Sequence, residues 1–460
     1  MADAIGWSYQ LLEPTEQVLL RHLSVFPSWF DLDTVEAVAP LVDAPVADTL
    51  ADLVDKSLVV RDPEAGRYRL LETIRLYGGE RLEMAGEAEA AREHHRRHLA
   101  AMAARERRVD RWLSARLAAA QRRRLDDARQ AFWASLDAGA GTDATEIAVA
   151  SAFLWRQALG CTEGAIWVAA LGRADLEPAD RRWVRILEAD LGQGLGDFGM
   201  LVDATIAAQA EDDGSDGDAT CILDHYAGLL RLTEPGEGRP AFEAVLAGAE
   251  DPRLADLMRL FLVVADLAAL ADGRPVDLDD LERRLAQVEA SASEDGYERF
   301  VLHWSGWMYA LARRNGPLAR RWFAGQRDYL DRTGVGDTWI TSYSDALAES
   351  VEGEDVTPLL RRAYALAERE GYRVEGDFLL GLAYSVAGQG DPVRAAELLG
   401  TAIAGRFNAT AHFVLYRVVI EPVVRAGLDA DAFDAALARG RAASAVAALG
   451  GYGIGPATLP

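Results

Sequence analysis

The chain has a single lysine in 460 residues, Lys56, and only two cysteines, Cys161 and Cys221. Two cysteines cannot build a disulfide framework, and no spacing resembles a zinc-ligand cluster. Positive charge is scarce as well: 48 basic residues face 73 acidic ones, a formal net charge of -25 at pH 7. That balance repels nucleic acid and anionic membrane over most of the surface, although a local basic patch can overcome it. Long apolar runs are missing. The best, "LFLVVADLAALA", is short and interrupted by Asp266, so it reads as a buried helix and not as a membrane span. The opening "MADAIGWSYQLLEPTEQ" places acids and a proline where a signal peptide needs a basic region and an apolar core. The expected location is the cytoplasm. What is present is hydrophobic residue, half of the composition, in a chain too long for one typical core. Two or three domains, or an array of repeats, are implied.

The one lysine is followed by Ser57, the order in which a phosphate-binding P-loop ends. Such a loop needs glycines that let backbone N–H groups close around phosphate. The eight residues ending at Ser57 are "LADLVDKS", without glycine and with Asp55 where the last one belongs. With no second lysine, no Walker-type phosphate site exists in this sequence. No catalytic, cofactor-binding or metal-binding residue is assigned, and no cofactor is expected. The expectation is a protein that is not an enzyme.

Around Lys56 the pattern is structural. "LEPTEQVLLRHLSVF" starts a helix with Pro14 in its first turn and aligns Leu19, Leu23 and Phe26. "DLDTVEAVAP" is a second, short helix. "PVADTLADLVDKSLVV" is a third, with Val46, Leu50, Leu53 and Val54 on one face and Asp48, Asp52 and Asp55 elsewhere. Two apolar runs then flank a turn with proline and glycine, a hairpin from about Leu58 to Leu71. Helical spacing returns through Ile74, Tyr77 and Leu82 and stops near Gly86. Three helices, a hairpin and a closing helix make a winged-helix-like unit, with Lys56 at the end of the third helix, where a cation complements the helix dipole.

In a DNA-binding winged helix the third helix enters the major groove. Here it carries Asp48, Asp52 and Asp55 and none of the Arg, Asn or Gln that read base edges. Arg61, Arg67 and Arg69 on the hairpin are available for a phosphate backbone. Protein contact is the expected use of the unit.

The segments "IGWSYQLLEPTEQVLLRHLSVFPSWFDLDTVEAV", "LADLVDKSLVV" and "GRYRLLETIRLYGGERL" resemble the winged-helix part of actinobacterial signal-transduction ATPases of the NB-ARC, or STAND, type. "FLWRQALGCTEGAIWV", "FLLGLAYSVAGQGDPVRAAELLGTAI" and "FDAALARGRA" are looser echoes of the same family. The resemblance implies a nucleotide-binding domain before the winged helix, tetratricopeptide-like repeats after it, and often a LuxR-type DNA-binding domain at the end; some relatives begin with an antibiotic-regulator domain. The sequence departs from that plan. Met1 falls almost at the start of the winged-helix segment, nothing LuxR-like follows "GGYGIGPATLP", and Ser28 and Trp29 stand where the family commonly has a glycine pair. Neither ATP hydrolysis nor DNA binding carries over to any residue.

From Glu87 an arginine-rich stretch runs through "REHHRRHLAAMAARERRVDRWLSARLAAAQRRRLDDARQAFWASL". It reads as connector helices whose arginines pair with carboxylates and cover apolar surface with their stems. Binding of nucleic acid or an acidic partner is the functional alternative. His94 and His98 are four apart, a metal-ligand spacing, but Arg92, Arg96 and Arg97 crowd them. From about Thr142, short helical patterns alternate with turns at Gly164, Gly196, Gly236, Gly273, Gly316, Gly353 and Gly390. These separations lie near the periods of helix-pair repeats. In "EDVTPLLRRAYALAEREG" Thr357 caps, Pro358 takes the first turn, and Leu360, Tyr364 and Ala367 form the stripe. "GLGDFG", Gly194 to Gly199, follows helical sequence and not a strand, so it is a repeat turn and not a dinucleotide loop. "EDDGSDGD" lacks the glutamate of a calcium loop and reads as an acidic surface loop. Tyr297, Phe300, Trp304, Trp307 and Leu311 recur at helical spacing, with Trp322, Phe323 and Trp339 nearby, as core or as anchors for a peptide or small effector.

The expected fold is mainly α: a winged-helix-like domain over 1–86, connector helices over 87–141, a tetratricopeptide-like α-solenoid over 142–447 and a flexible tail over 448–460. The expected function is a non-enzymatic regulatory or scaffold module that recognises a protein partner, peptide or effector in bacterial signal transduction and transcriptional control. Direct DNA binding through the winged helix, or a fragment of a larger ATPase regulator, is the alternative.

Overall fold

The computed structural model describes residues 2–39, 45–62, 65–105, 121–155, 161–195, 197–231, 238–271, 273–333, 339–351, 354–369, 375–404 and 415–455. Expectations for Gly196, Gly236 and Gly353, and for the arginines over 106–120, lie outside these residues. The chain divides into two compact units, residues 1–108, 117–151 and 170–180 in the first, and the remainder in the second.

The first unit is a winged-helix-like region extended by helices. α1 (Ala2–Gln10) precedes the predicted elements, and α2 (Pro14–Leu23) starts at Pro14 with a reciprocal capping box between Glu13 and Glu16. α3 (Leu32–Val38) is capped by Asp31, whose side chain accepts the Thr34 N–H at 3.0 Å. α4 (Val46–Asp55) ends at Lys56, and Ser57 takes the left-handed backbone, φ 60°. The Leu58 N–H then returns to the Leu53 carbonyl at 3.0 Å, so a Schellman turn stops the helix and aims the chain into the hairpin. Leu19, Leu23, Phe26, Leu50 and Leu53 are buried together, as their spacing predicted, with Val35 beside them; Val46 and Val54, read on the same face, are partly buried against this core.

The wing is shorter than the predicted run from Leu58 to Leu71. β1 (Val60–Asp62) pairs antiparallel with β2 (Arg67–Arg69), in the register Val60 to Arg69 and Arg61 to Tyr68. Phe30 bridges to Tyr68 at its edge, so the residues flanking the strands go to the core and not to the ladder. α5 (Glu72–Met84) and α6 (Ala88–Ala104) follow, and α6 packs against α3 and the helix Leu125–Asp137.

The second unit is an array of paired helices of tetratricopeptide-like layout. Buried apolar stripes repeat from Pro178–Leu195 through Pro392–Ala404 and Ala430–Arg441. The helices Pro252–Ala271 and Tyr297–Ala312 pack on one another, as do Trp339–Ser350 and Glu375–Gly388; each also packs on its pair partner. Gly273 and Gly390 sit in turns before helices as expected and Gly316 is the first residue of one, whereas Gly164 sits inside Cys161–Leu171 against Trp155, a place chosen by packing. In Thr357–Arg369 the stripe of Leu360, Tyr364 and Ala367 is buried, but Asp355 and not Thr357 supplies the side-chain acceptor, for the Thr357 N–H at 3.0 Å. The segment read as a tail holds Leu449 and Ile454, both buried, and the Tyr452 carbonyl accepts from Arg361 at 2.6 and 2.8 Å. No described helix is long and apolar enough to cross a membrane.

Candidate functional site

Lys56 ends α4 as predicted, and its ammonium forms an ion pair with Glu16 of α2. Glu16 is 4% exposed and also receives the Glu13 N–H at 2.8 Å, so one carboxylate ties the start of α2 to the end of α4. Lys56→Met strands that carboxylate; with the lysine 45% exposed, we expect a loss of roughly 1 kcal/mol in urea unfolding. An unchanged urea midpoint would refute the structural role.

The outward face of α4 is acidic. Asp48, Asp52 and Asp55 are exposed beside Ala47 and Ala51, so the face that would enter a major groove repels phosphate and offers no base-reading group. The wing is its opposite. Arg61 and Arg69 are exposed, Arg61 with its guanidinium 6.0 Å from the Tyr68 ring and Arg69 4.6 Å from the Trp29 ring. These aromatic surfaces preorganise two cations on a rigid ribbon. Arg67 is spent on structure: it donates to the carbonyls of Trp29 and, at 3.0 Å, of Arg123. That tie brings the exposed Arg122 and Arg123 beside the wing. Arg124 donates to Asp31 at 2.6 Å. Burial pushes the Asp31 carboxyl up, but the bonds from Thr34 and Arg124 outweigh it and hold it at about 2.

Elsewhere in the connector the arginines do what pairing predicts. Arg96 is buried between Glu93 and Asp143, Arg97 pairs with Glu93 at 2.6 Å, and Arg92 with Glu83. His94 and His98 join no metal-binding group among the described residues. The histidines that meet carboxylates are others, His95 with Asp127 and His22 with Glu87, each at 3.4 Å. Neither pair has a sequence spacing that announces it.

In the second unit the aromatic stripe is core: Tyr297, Phe300, Trp307, Leu311, Trp322, Phe323 and Trp339 are buried, and Trp304 is half-buried. Of "GLGDFG", Gly194 and Leu195 end one helix and Phe198 and Gly199 begin the next, which the Asp197 side chain caps by accepting the Met200 N–H at 3.1 Å. "EDDGSDGD" is tied inward as well as exposed. Buried Arg182 donates to Asp212 and Asp213 at 3.0 Å, and the Trp183 indole donates to Asp216 at 2.8 Å. A groove of about 500 Å³ lies between Cys161–Leu171, Pro178–Leu195 and Phe198–Ala210. Val168, Leu191 and Ala204 line it with the Arg185–Glu188 pair, a mostly apolar lining without a set of groups for acid–base or nucleophilic work.

The comparisons with known proteins agree with this picture of the first unit. Residues 12–83 match the family model of a winged helix-turn-helix domain. A Mycobacterium tuberculosis protein named as an HTH-type transcriptional regulator is 40% identical over 169 residues, covering 36% of this chain and 19% of that protein. An uncharacterized protein of the same organism is 44% identical over 105 residues, 22% of this chain and 27% of its own length. The chain thus matches under a third of the length of either relative. A STAND protein with a tetratricopeptide repeat sensor from Pyrococcus horikoshii superimposes with a TM-score of 0.42 at 14% identity, over 90% of this chain and 66% of that one. The chain carries a winged helix-turn-helix domain and a tetratricopeptide-like helical region.

Proposed function

We propose that this chain works without catalysis in transcriptional control, as a winged-helix and helical-array module of an HTH-type regulator. In this reading residues 1–86 are the contact head, 87–141 the connector and 142–447 the array that receives a protein, peptide or effector signal. The observation that carries it is the exposed arginine group at the wing, Arg61 and Arg69 with Arg122 and Arg123 alongside, in a chain of net charge -25. Direct DNA contact, which the name of the mycobacterial relative supports, then runs through the wing and not through α4. That the match fills a fifth of a far longer relative supports a module working with other domains, as in the larger ATPase regulators the sequence resembles.

Titration of a labelled duplex tests this. Binding should weaken steeply between about 50 and 200 mM salt, and Arg61→Glu with Arg69→Glu should flatten the salt slope by about 2. Asp48→Asn with Asp52→Asn on α4 should leave binding unchanged or tighter. No binding at low salt would replace this reading with the second, a module for protein contact alone, which the acidic face of α4 favours.

A further inference from the structure

The segment "LYRVVIEPVVR", Leu415 to Arg425, is a run of aromatic and β-branched residues closed by a proline. Tyr416–Ile420 forms a π-helix and Glu421–Arg425 an α-helix. A π-helical turn carries an extra residue and poorer hydrogen bonds, so it persists where its surroundings impose it. Those surroundings are unusual for a repeat array, in which each unit needs to touch only its neighbours. Tyr416–Ile420 packs against Glu375–Gly388, its neighbour, but also against Tyr297–Ala312 and Pro252–Ala271, far upstream. Pro252–Ala271 and Tyr297–Ala312 stack directly on one another. Leu415, Val419 and Ile420 are buried. The other end is held by packing: Glu421–Arg425 lies on Glu375–Gly388 and Pro392–Ala404. The two upstream helices are joined to one another by the Phe261 and Trp304 rings, 6.4 Å apart, with Trp304 the half-buried member of the aromatic stripe.

We propose that these two helices form a groove for an apolar helical peptide and that Tyr416–Ile420 occupies it as the chain's own, displaceable ligand. The external partner it fits is a protein segment with an aromatic residue followed by aliphatic ones at the same spacing. Stacking of the array does not require the long-range contact, which is what a tethered competitor supplies. A tethered ligand lowers the apparent affinity for a free one by the fraction of time the groove stands open. The inference rests on the array's receiving role and not on DNA contact, so the duplex titration can fail without touching it.

The probe is a fluorescent peptide with the sequence of residues 415–425, titrated into the full chain by anisotropy. Val419→Asp with Ile420→Asp should eject the internal segment, keep the helical circular dichroism, and bind the peptide at least about tenfold more tightly than the parent. Equal or weaker binding by the folded variant overturns the proposal and makes the segment ordinary core. Should the double variant not fold, Tyr416→Ala, which removes a half-buried ring without burying charge, is judged by the same criterion.

Discussion

Gly440→Ala should destabilise the last helix pair by about 3 kcal/mol or more, while Gly248→Ala should change nothing or add a few tenths. The helices Pro392–Ala404 and Ala430–Arg441 cross with glycine on both sides. A Cβ on Gly440 would lie 1.9 Å from the Glu397 carbonyl oxygen, and one on Gly400 2.2 Å from that of Leu437. Both obstacles are backbone, so no rotamer change relieves them and the helices must part. Parting breaks more than van der Waals contact. The Thr401 hydroxyl donates across the crossing to the Gly440 carbonyl at 2.9 Å, and Arg439 donates to Glu397 at 2.9 Å. A buried carbonyl losing its donor adds to the overpacking cost. Gly248 ends its helix with nothing within 4 Å of the added carbon, so only helix propensity changes there. Urea unfolding followed by circular dichroism, with hydrogen exchange of residues 392–441, measures both. Gly400→Ala added to Gly440→Ala should cost less than the sum, because the first substitution has already opened the crossing. Full additivity would mean that the two glycines are not one contact.

The winged helix was legible because its signals are local. Pro14 starts α2, and Leu50 and Leu53 turn α4 to the core within a few residues of chain; the Glu13–Glu16 box and the Asp31 cap, which the structure adds, are equally local. α1 was missed for the same reason: "ADAIGWSYQ" has Gly6 in mid-helix and an exposed Trp7, so no clean apolar stripe marks it. The wing's length failed at its ends, where Val59 and Leu70 look like strand but are claimed by the core. What sequence could not show is whatever depends on two distant residues meeting. His95 and Asp127 are brought together by α6 packing on Leu125–Asp137, and the suggestive pair His94 and His98 is only a by-product of helical spacing. The glycine crossing is silent for a similar reason, since "LLGTA" and "LARGRA" each read as ordinary helix. Likewise the acidic face of α4 was plain from Asp48, Asp52 and Asp55. That Arg122 and Arg123 adjoin the wing needed the bond from Arg67 to the Arg123 carbonyl.

Acidification from pH 7 to pH 4 should cost the array about 3 kcal/mol through His303 alone. This histidine is 8% exposed, its ring edge-on to Trp322 at 5.8 Å and seated where a Cβ on Gly325 would be 2.3 Å away. Burial, followed by the charges of Arg299, Arg332 and Arg321, disfavours the imidazolium; Asp328 opposes them, and the group is pushed down to about 4. In the unfolded chain it titrates near its ordinary 6.5. Between those values the unfolded state binds the extra proton, so the stability is intact above pH 6.5, declines as pH falls, and is gone below 4. Glu298, on the same helix, acts in the opposite sense: burial raises its carboxyl, so its protonation favours the folded state as pH drops. The two contributions separate by substitution. His303→Gln lowers stability at pH 7 through lost packing but removes the decline between pH 6.5 and 4, where the parent's urea midpoint should fall steeply. Parallel midpoint curves for parent and variant would show that His303 does not carry this acid sensitivity.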